Sequence, residues 1–158
     1  MDRFVSNFTN RLDAKGRVSI PSSFRAILAR DGYDGLCVLP TLDSPALDAG
    51  GNSLLSEIDR LLEGLAPYSE ERDALSTALL GTSEILKMDA EGRVVLTESL
   101  RSFASITDMV TFVGHGHKFQ IWEPETFRVH LEEARTKARD LRRRLGESRV
   151  ADGAGSRP

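Results

Sequence analysis

Apolar positions along the chain follow two periods, and their succession occurs twice. Val18-Ser19-Ile20 alternates as a strand does, and Phe24, Ile27 and Leu28 follow at the i, i+3, i+4 spacing that lines one side of a helix. Pro21 separates the two, Ser22 or Ser23 is the expected cap, and Gly32 marks the helix end. The run Leu36-Cys37-Val38-Leu39 then reads as a further strand. The pattern returns with Thr97 at the cap, Leu100, Phe103 and Ala104 in the stripe, and residues 109–113 as the strand. An incoming strand is expected within residues 1–10, with Phe8, Asn10 and Leu12 on one face.

Between the copies, residues 40–52 are rich in Pro, Gly and Asp, and no more than a weak strand near 46–48 is expected there. Two helices follow. The first, about 53–63, is capped by Asn52 or Ser53 and carries Leu54, Leu55, Ile58, Leu61 and Leu62; the second, about 70–80, opens with Ser69 and stops at Gly81. After the second copy, residues 118–122 alternate as a half-buried strand. Pro124 opens a long helix whose Phe127, Leu131, Ala134, Ala138, Leu141 and Leu145 step by four and three in turn, a heptad spacing suited to packing on a neighbouring helix. Residues 147–158 read as a frayed polar tail.

Aligning the copies makes the repetition explicit. Residues 12–28, LDAKGRVSIPSSFRAIL, match residues 88–104, MDAEGRVVLTESLRSFA, with identities at Asp13/Asp89, Ala14/Ala90, Gly16/Gly92, Arg17/Arg93, Val18/Val94, Ser23/Ser99 and Arg25/Arg101. Asp-Ala-Lys-Gly-Arg, ahead of an alternating run, predicts a β-hairpin tip. Gly16 and Gly92 supply its left-handed residue, and Asp13 and Asp89 can fold their carboxylates over turn amides. Arg17 and Arg93 emerge on the outgoing strand, placed to pair with that carboxylate or to point away from it. One such unit, roughly 45 residues, buries too little apolar surface to stand safely alone, so two copies imply an intramolecular pseudo-dimer with packed or interleaved hairpins. The fold class is α+β.

The formal charge of −3 argues against a generic nucleic-acid coat, yet the charge is segregated. Residues 11–30 carry Arg11, Lys15, Arg17, Arg25 and Arg30 against Asp13 alone, whereas residues 41–84 carry nine carboxylates against Arg60 and Arg72. A basic patch on an acidic body is a local electrostatic footprint. The acidic helices read as packing with a solvated face, or as a surface between subunits. Cys37, the one cysteine, reads as a small buried core residue and leaves no internal disulfide framework. No apolar run reaches the ~18 residues of a spanning helix, and the first ten residues hold no signal-peptide core; a cytoplasmic protein is expected, without a membrane partner.

Spacing argues against the common catalytic constellations. Two repeat-delivered aspartates invite comparison with aspartic proteases, but that chemistry needs a small-hydroxyl-Gly turn, and here Ala-Lys-Gly and Ala-Glu-Gly follow. His115 and His117 could chelate a metal, but without a third ligand nearby a glycine-rich hairpin turn is the better reading. The same stretch lacks the Gly-Lys-Ser/Thr end of a phosphate loop. No enzyme, metal, cofactor or small-molecule substrate is expected. What remains is the paired Asp-x-x-x-Arg turns. Arginine suits bidentate phosphate or guanine contact, and a β-ribbon can enter a major groove. Arg17, flanked by Lys15 and Arg11, is the leading candidate for DNA contact, with Arg93 its counterpart.

At these residues the sequence resembles the MraZ family of bacterial transcriptional regulators and, more broadly, the SpoVT-AbrB swapped-hairpin DNA-binding domains. LDAKGRVSIPSSFR is similar to the family's first signature, MDAEGRVVL with Arg101 to its second, and FQIWEPETF to the following strand and helix start; the likeness spans about residues 1–145. The resemblance implies two AbrB-like swapped-hairpin half-units forming one pseudo-dimeric small β-barrel, and a ring-shaped homo-oligomer. It also implies nucleoid-associated binding of double-stranded DNA at repeated promoter elements upstream of the division and cell-wall gene cluster, usually with autorepression. Asp13, Arg17, Asp89 and Arg93 are its signature positions. Thr97 replaces the family's usual proline, Glu91 a basic or neutral residue, and residues 46–51 match the expected strand poorly. Glu91 sets a negative charge at the second tip, so the first hairpin is expected to carry more of the phosphate contact.

The expected organisation is repeat 1 over 1–52, a helical connector over 53–81, repeat 2 over 82–126, a C-terminal helix over 127–146, and a flexible tail over 147–158. The alternative reading is an AbrB-like antitoxin or protein-assembly module whose acidic helices hold a protein partner.

Overall fold

The computed structural model describes residues 2–155. Its elements are β1 (Asn7–Arg11), β2 (Arg17–Ser19), α1 (Ser22–Asp31), β3 (Leu36–Pro40), β4 (Leu47–Gly50), α2 (Asn52–Glu63), α3 (Glu70–Leu79), β5 (Glu84–Leu86), β6 (Arg93–Val95), α4 (Glu98–Phe103), β7 (Met109–Gly114), β8 (Phe119–Trp122) and α5 (Pro124–Gly155). The chain divides into two compact units that part between Pro124 and Glu125. The first is α+β and the second is the body of α5.

Strands of the first unit form an antiparallel six-stranded sheet in the order β1-β7-β8-β4-β3-β5 and a separate ribbon of β2 with β6. The copies interleave. β1 pairs with β7 of the second copy, β5 pairs with β3 of the first, and β2 pairs with β6. The expected hairpin is therefore corrected: its turn is present, but its arms run to different partners. β2 has three residues before Pro21, which has no N–H to extend a ladder, so it cannot match the five residues of β1 and pairs with the equally short β6. The closed barrel is corrected for the same reason, since the described strands form an open sheet ending at β1 and β5 plus a ribbon.

Interleaving gives both copies one core. Val18, Ile20 and Phe24 from the first pack with Val94, Leu96, Leu100, Phe112, Phe119 and Ile121 from the second. Phe24 lies 4.9 Å from Phe119 and 5.2 Å from Phe4 between ring centroids. A smaller cluster of Cys37, Leu39, Leu54, Ile58, Leu62 and Leu79 fastens the connector helices to β3.

Several local expectations are corrected. Neither Ser22 nor Ser23 caps α1, whose N-cap is Pro21 without a side-chain bond. Neither Asn52 nor Ser53 caps α2 with its own side chain; the Asp31 carboxylate, at the end of α1, accepts from the backbone N–H of both. Leu61 and Phe103 are exposed, each on the outer flank of its stripe. The weak strand near 46–48 is a full strand over Leu47–Gly50, buried between β3 and β8. β8 is buried on both faces because Gln120 finds internal partners in Asp48 and Trp122. Helix α5 continues through Gly155, past the boundary expected near 146, and residues 156–158 of the expected tail lie outside the described residues. The Gly32, Ser69 and Thr97 boundaries fall where expected.

Candidate nucleic-acid interface

Each Asp-x-x-Gly-Arg segment closes by the same bonds. In the first, the Gly16 N–H donates to the Asp13 carbonyl and the Asp13 N–H to the Arg17 carbonyl; in the second, Gly92, Asp89 and Arg93 repeat both. Gly16 and Gly92 sit at φ +78° and +79°, the left-handed geometry that a side chain resists. Asp13 Oδ1 accepts from the amides of Lys15 and Arg17, and Asp89 Oδ1 from those of Glu91 and Arg93, all at 2.9 Å. The second oxygens take the arginines, Arg17 Nε at 2.6 Å and Arg93 Nε at 2.9 Å. Both carboxyls are held below the usual aspartate range, first by the arginine backbone N–H and then by the guanidinium. Each aspartate thus stays ionised on its own turn, unsuited to a proton shared between the two.

The turns meet through the ribbon. Val18 pairs with Val94 at its centre, Arg17 with Val95 and Ser19 with Arg93, so the register is unchanged when the copies are exchanged. Two further bonds obey the same exchange, the Leu96 N–H to the Gly16 carbonyl at 2.9 Å and the Ile20 N–H to the Gly92 carbonyl at 3.0 Å. Val18 and Val94 are buried, so alternation puts Arg17, Ser19, Arg93 and Val95 together on the outer face. As diagonal neighbours, Arg17 and Arg93 are roughly 7–8 Å apart at the backbone. The Asp13 charge is felt at Arg93, whose guanidinium is held further toward the charged form, chiefly by its bond to Asp89.

The tips are not equivalent. Arg17 uses Nε on Asp13, which leaves its two terminal nitrogens outside that pair. Arg93 also brings Nη2 to Glu91 Oε2 at 3.0 Å. Lys15, matching Glu91, is exposed, and Arg11 is exposed at the end of β1, which Asn10 Nδ2 ties to the Ser19 carbonyl of β2.

Arg25 and Arg101, identical in the two copies, were not singled out by the sequence as site residues. Arg25 Nη1 donates to the Glu91 carbonyl at 3.2 Å, and Arg101 Nε to the Leu96 carbonyl at 3.0 Å beside Gly16. Each helix thus sends an arginine beneath the other copy's turn. Their identity was the available signal; crossing of the copies gave it meaning.

His115 closes the β7–β8 turn through its N–H on the Lys118 carbonyl, Gly116 is left-handed, and His117 pairs with Glu57. Among the described residues no group of three His, Cys, Asp or Glu side chains is arranged to hold a metal. Cys37 is buried, and burial pushes its thiol up from the ordinary range. Among the described residues no helix is long and apolar enough to cross a membrane.

Residues 78–148 match the family model described as "MraZ protein, putative antitoxin-like". Relatives similar over nearly the whole chain carry the name "Transcriptional regulator MraZ". The protein from Methylocella silvestris is 68% identical over 154 residues, covering 98% of this chain and 94% of the relative. That from Azorhizobium caulinodans is 61% identical, covering 98% of each, and that from Parvibaculum lavamentivorans is 41% identical, covering 99% and 100%. The chain belongs to the MraZ family.

Proposed function

We propose that this chain is a sequence-specific DNA-binding transcriptional regulator that acts in the cytoplasm at the nucleoid. Copies assemble into a ring and repress from repeated promoter elements upstream of the division and cell-wall gene cluster. The observation that carries the reading is the β2–β6 ribbon, which holds Arg17 and Arg93 on one outer face while Val18 and Val94 anchor it below. A two-stranded ribbon fits a major groove, and arginine matches phosphate or guanine bidentately. Arg17, Lys15, Arg11 and Arg93 make the contact, and Asp13, Gly16, Asp89 and Gly92 shape the turns that aim them. The paired arrangement of the copies is, in this reading, a swapped hairpin.

A chain of net charge −3 binds a polyanion because many small basic faces engage repeated sites together. The test is fluorescence anisotropy with DNA from upstream of the chain's own coding region, across a salt series. Promoter affinity with a steep salt slope, lost in an Arg17→Ala/Arg93→Ala double variant of unchanged mass, is expected; unchanged binding by that variant overturns the reading.

A second reading, an antitoxin-like or assembly module, draws on the family description and on the acidic connector. Stoichiometric co-purification of a small protein, with no DNA shift at low salt, would favour it.

A further inference from the structure

The outer face of the β2–β6 ribbon holds four side chains, and one of them can make no bond to a phosphate. Register sets Arg17 opposite Val95 and Ser19 opposite Arg93. Val95 is 49% exposed and is the single apolar side chain of that face. Arg93 lies two residues before it on the same strand, and a directly opposed pair keeps Arg17 about 5 Å away at Cβ. An apolar group thus stands between two guanidiniums on the surface that Val18 and Val94 anchor from below.

The strand itself does not call for it. The matching place in the first copy is Ser19, exposed in the same register, so the ribbon forms with a small polar residue there. Left in water, Val95 gains nothing from its side chain; it gains only against a partner with an apolar group beside the one the arginines reach. A protein surface covering Val95 would also cover both guanidiniums, at the cost of desolvating them. DNA offers the combination directly. In the major groove the base edges present donors and acceptors, and thymine alone adds a methyl group, at C5.

We infer that Val95 is a specificity-determining residue that packs on the C5-methyl of a thymine. At about 3.4 Å per base pair, that thymine lies within about two base pairs of the point Arg17 contacts. The inference rests on the DNA reading above and adds to it a base that the ribbon selects. Ser19, beside Arg93, carries a hydroxyl that bonds either kind of base edge and imposes no such choice. The two ends of the ribbon therefore differ in what they read. The Arg17 end joins a guanidinium held by one carboxylate to a methyl-seeking valine, and the Arg93 end joins a guanidinium held by two carboxylates to an unselective hydroxyl.

The test is fluorescence anisotropy of the full-length chain on DNA from upstream of its own coding region, prepared once with thymine and once with uracil at every thymine position. Uracil removes the C5-methyl and keeps the base pairing. Wild type and Val95→Ser, which repeats the residue of the first copy, are titrated on both. Wild type is expected to bind the uracil DNA about fourfold more weakly per engaged copy, the worth of one buried methyl contact. Val95→Ser is expected to lose a similar factor on thymine DNA, to lose nothing more on uracil DNA, and to keep the wild-type salt slope, since no charge is removed. Equal uracil penalties in the two proteins would trace the methyl to DNA shape or to another side chain and overturn the inference. Unchanged affinity of Val95→Ser for thymine DNA overturns it too and leaves Val95 a strand former. A wild-type chain that binds neither DNA overturns the DNA reading as well, whereas equal wild-type binding to both overturns the role of Val95 alone.

Discussion

Glu91 Oε2 lies 3.0 Å from Arg93 Nη2, an ion pair the first copy cannot form because Lys15 occupies the matching place. A duplicated turn has become asymmetric by one residue. The first tip offers a lysine and an arginine held by one nitrogen; the second offers an arginine held by two carboxylates.

Arg17→Ala is accordingly expected to weaken promoter binding by about tenfold or more, and Arg93→Ala by only a few-fold. Glu91→Lys, which frees Arg93 Nη2 and adds a cation, is expected to tighten binding and steepen the salt dependence by about one unit per engaged copy. Anisotropy titrations at several salt concentrations read both. Equal losses at the two arginines would show that the Glu91 pair has no bearing on contact.

The turn glycines give a prediction about stability. Gly16→Ala and Gly92→Ala each force an L side chain into the left-handed region, at a cost of about 1–2 kcal/mol. At Gly16 a methyl would stand 3.4 Å from the Leu96 carbonyl, an ordinary contact, whereas at Gly92 it would run into the Arg25 guanidinium. Gly92→Ala is therefore expected to be the costlier in urea unfolding. It should also loosen the bond from Arg25 to the Glu91 carbonyl.

These turns were legible in the sequence because their chemistry is local. Asp13 reaches its amides within four residues, and the glycine requirement follows from a single φ. Pairing was less legible. A hairpin and a crossed ribbon ask the same alternation of Val18 and Ile20, and only the count of residues between Gly16 and Pro21 hints that β2 is too short for β1. Asp31 is not legible as a cap because it ends α1, 21 residues before the amide it serves. Gln120 hid the full burial of β8, since its partner Asp48 lies 72 positions away. Local bonds could be read from spacing, while bonds between copies needed the fold.

Acid should act through the turns. Asp13 and Asp89 titrate below an unfolded value of about 3.9, so their contribution is complete above that value and is lost as pH falls through the lower folded values. Both groups are exposed, and the effect is correspondingly modest. Asp13→Asn keeps an oxygen for the amides but not the charge that holds Arg17. It is expected to flatten the fall of Tm below about pH 4 without altering the plateau near neutrality by more than a few degrees. Thermal melts from pH 2.5 to 7 check this, and an unchanged acid limb would mean that the carboxylate contributes no pH-dependent stability.

Asp31 joins two helices that sequence alone leaves unconnected. Its Oδ2 accepts from the Asn52 N–H, and its Oδ1 accepts from both the Ser53 N–H and the Ser53 hydroxyl, so the last residue of α1 satisfies the first amides of α2. The Asn52 side chain returns a bond to the Asp31 carbonyl at 3.0 Å. Asp31→Ala removes an N-cap and is expected to cost about 1 kcal/mol in urea unfolding, while Asp31→Asn, which keeps an acceptor oxygen, is expected to cost about half as much. The ribbon lies outside this junction, so promoter affinity at 25 °C should stay within about twofold of wild type in both variants. A loss of affinity as large as that of Arg17→Ala would show that the connector and the ribbon are coupled.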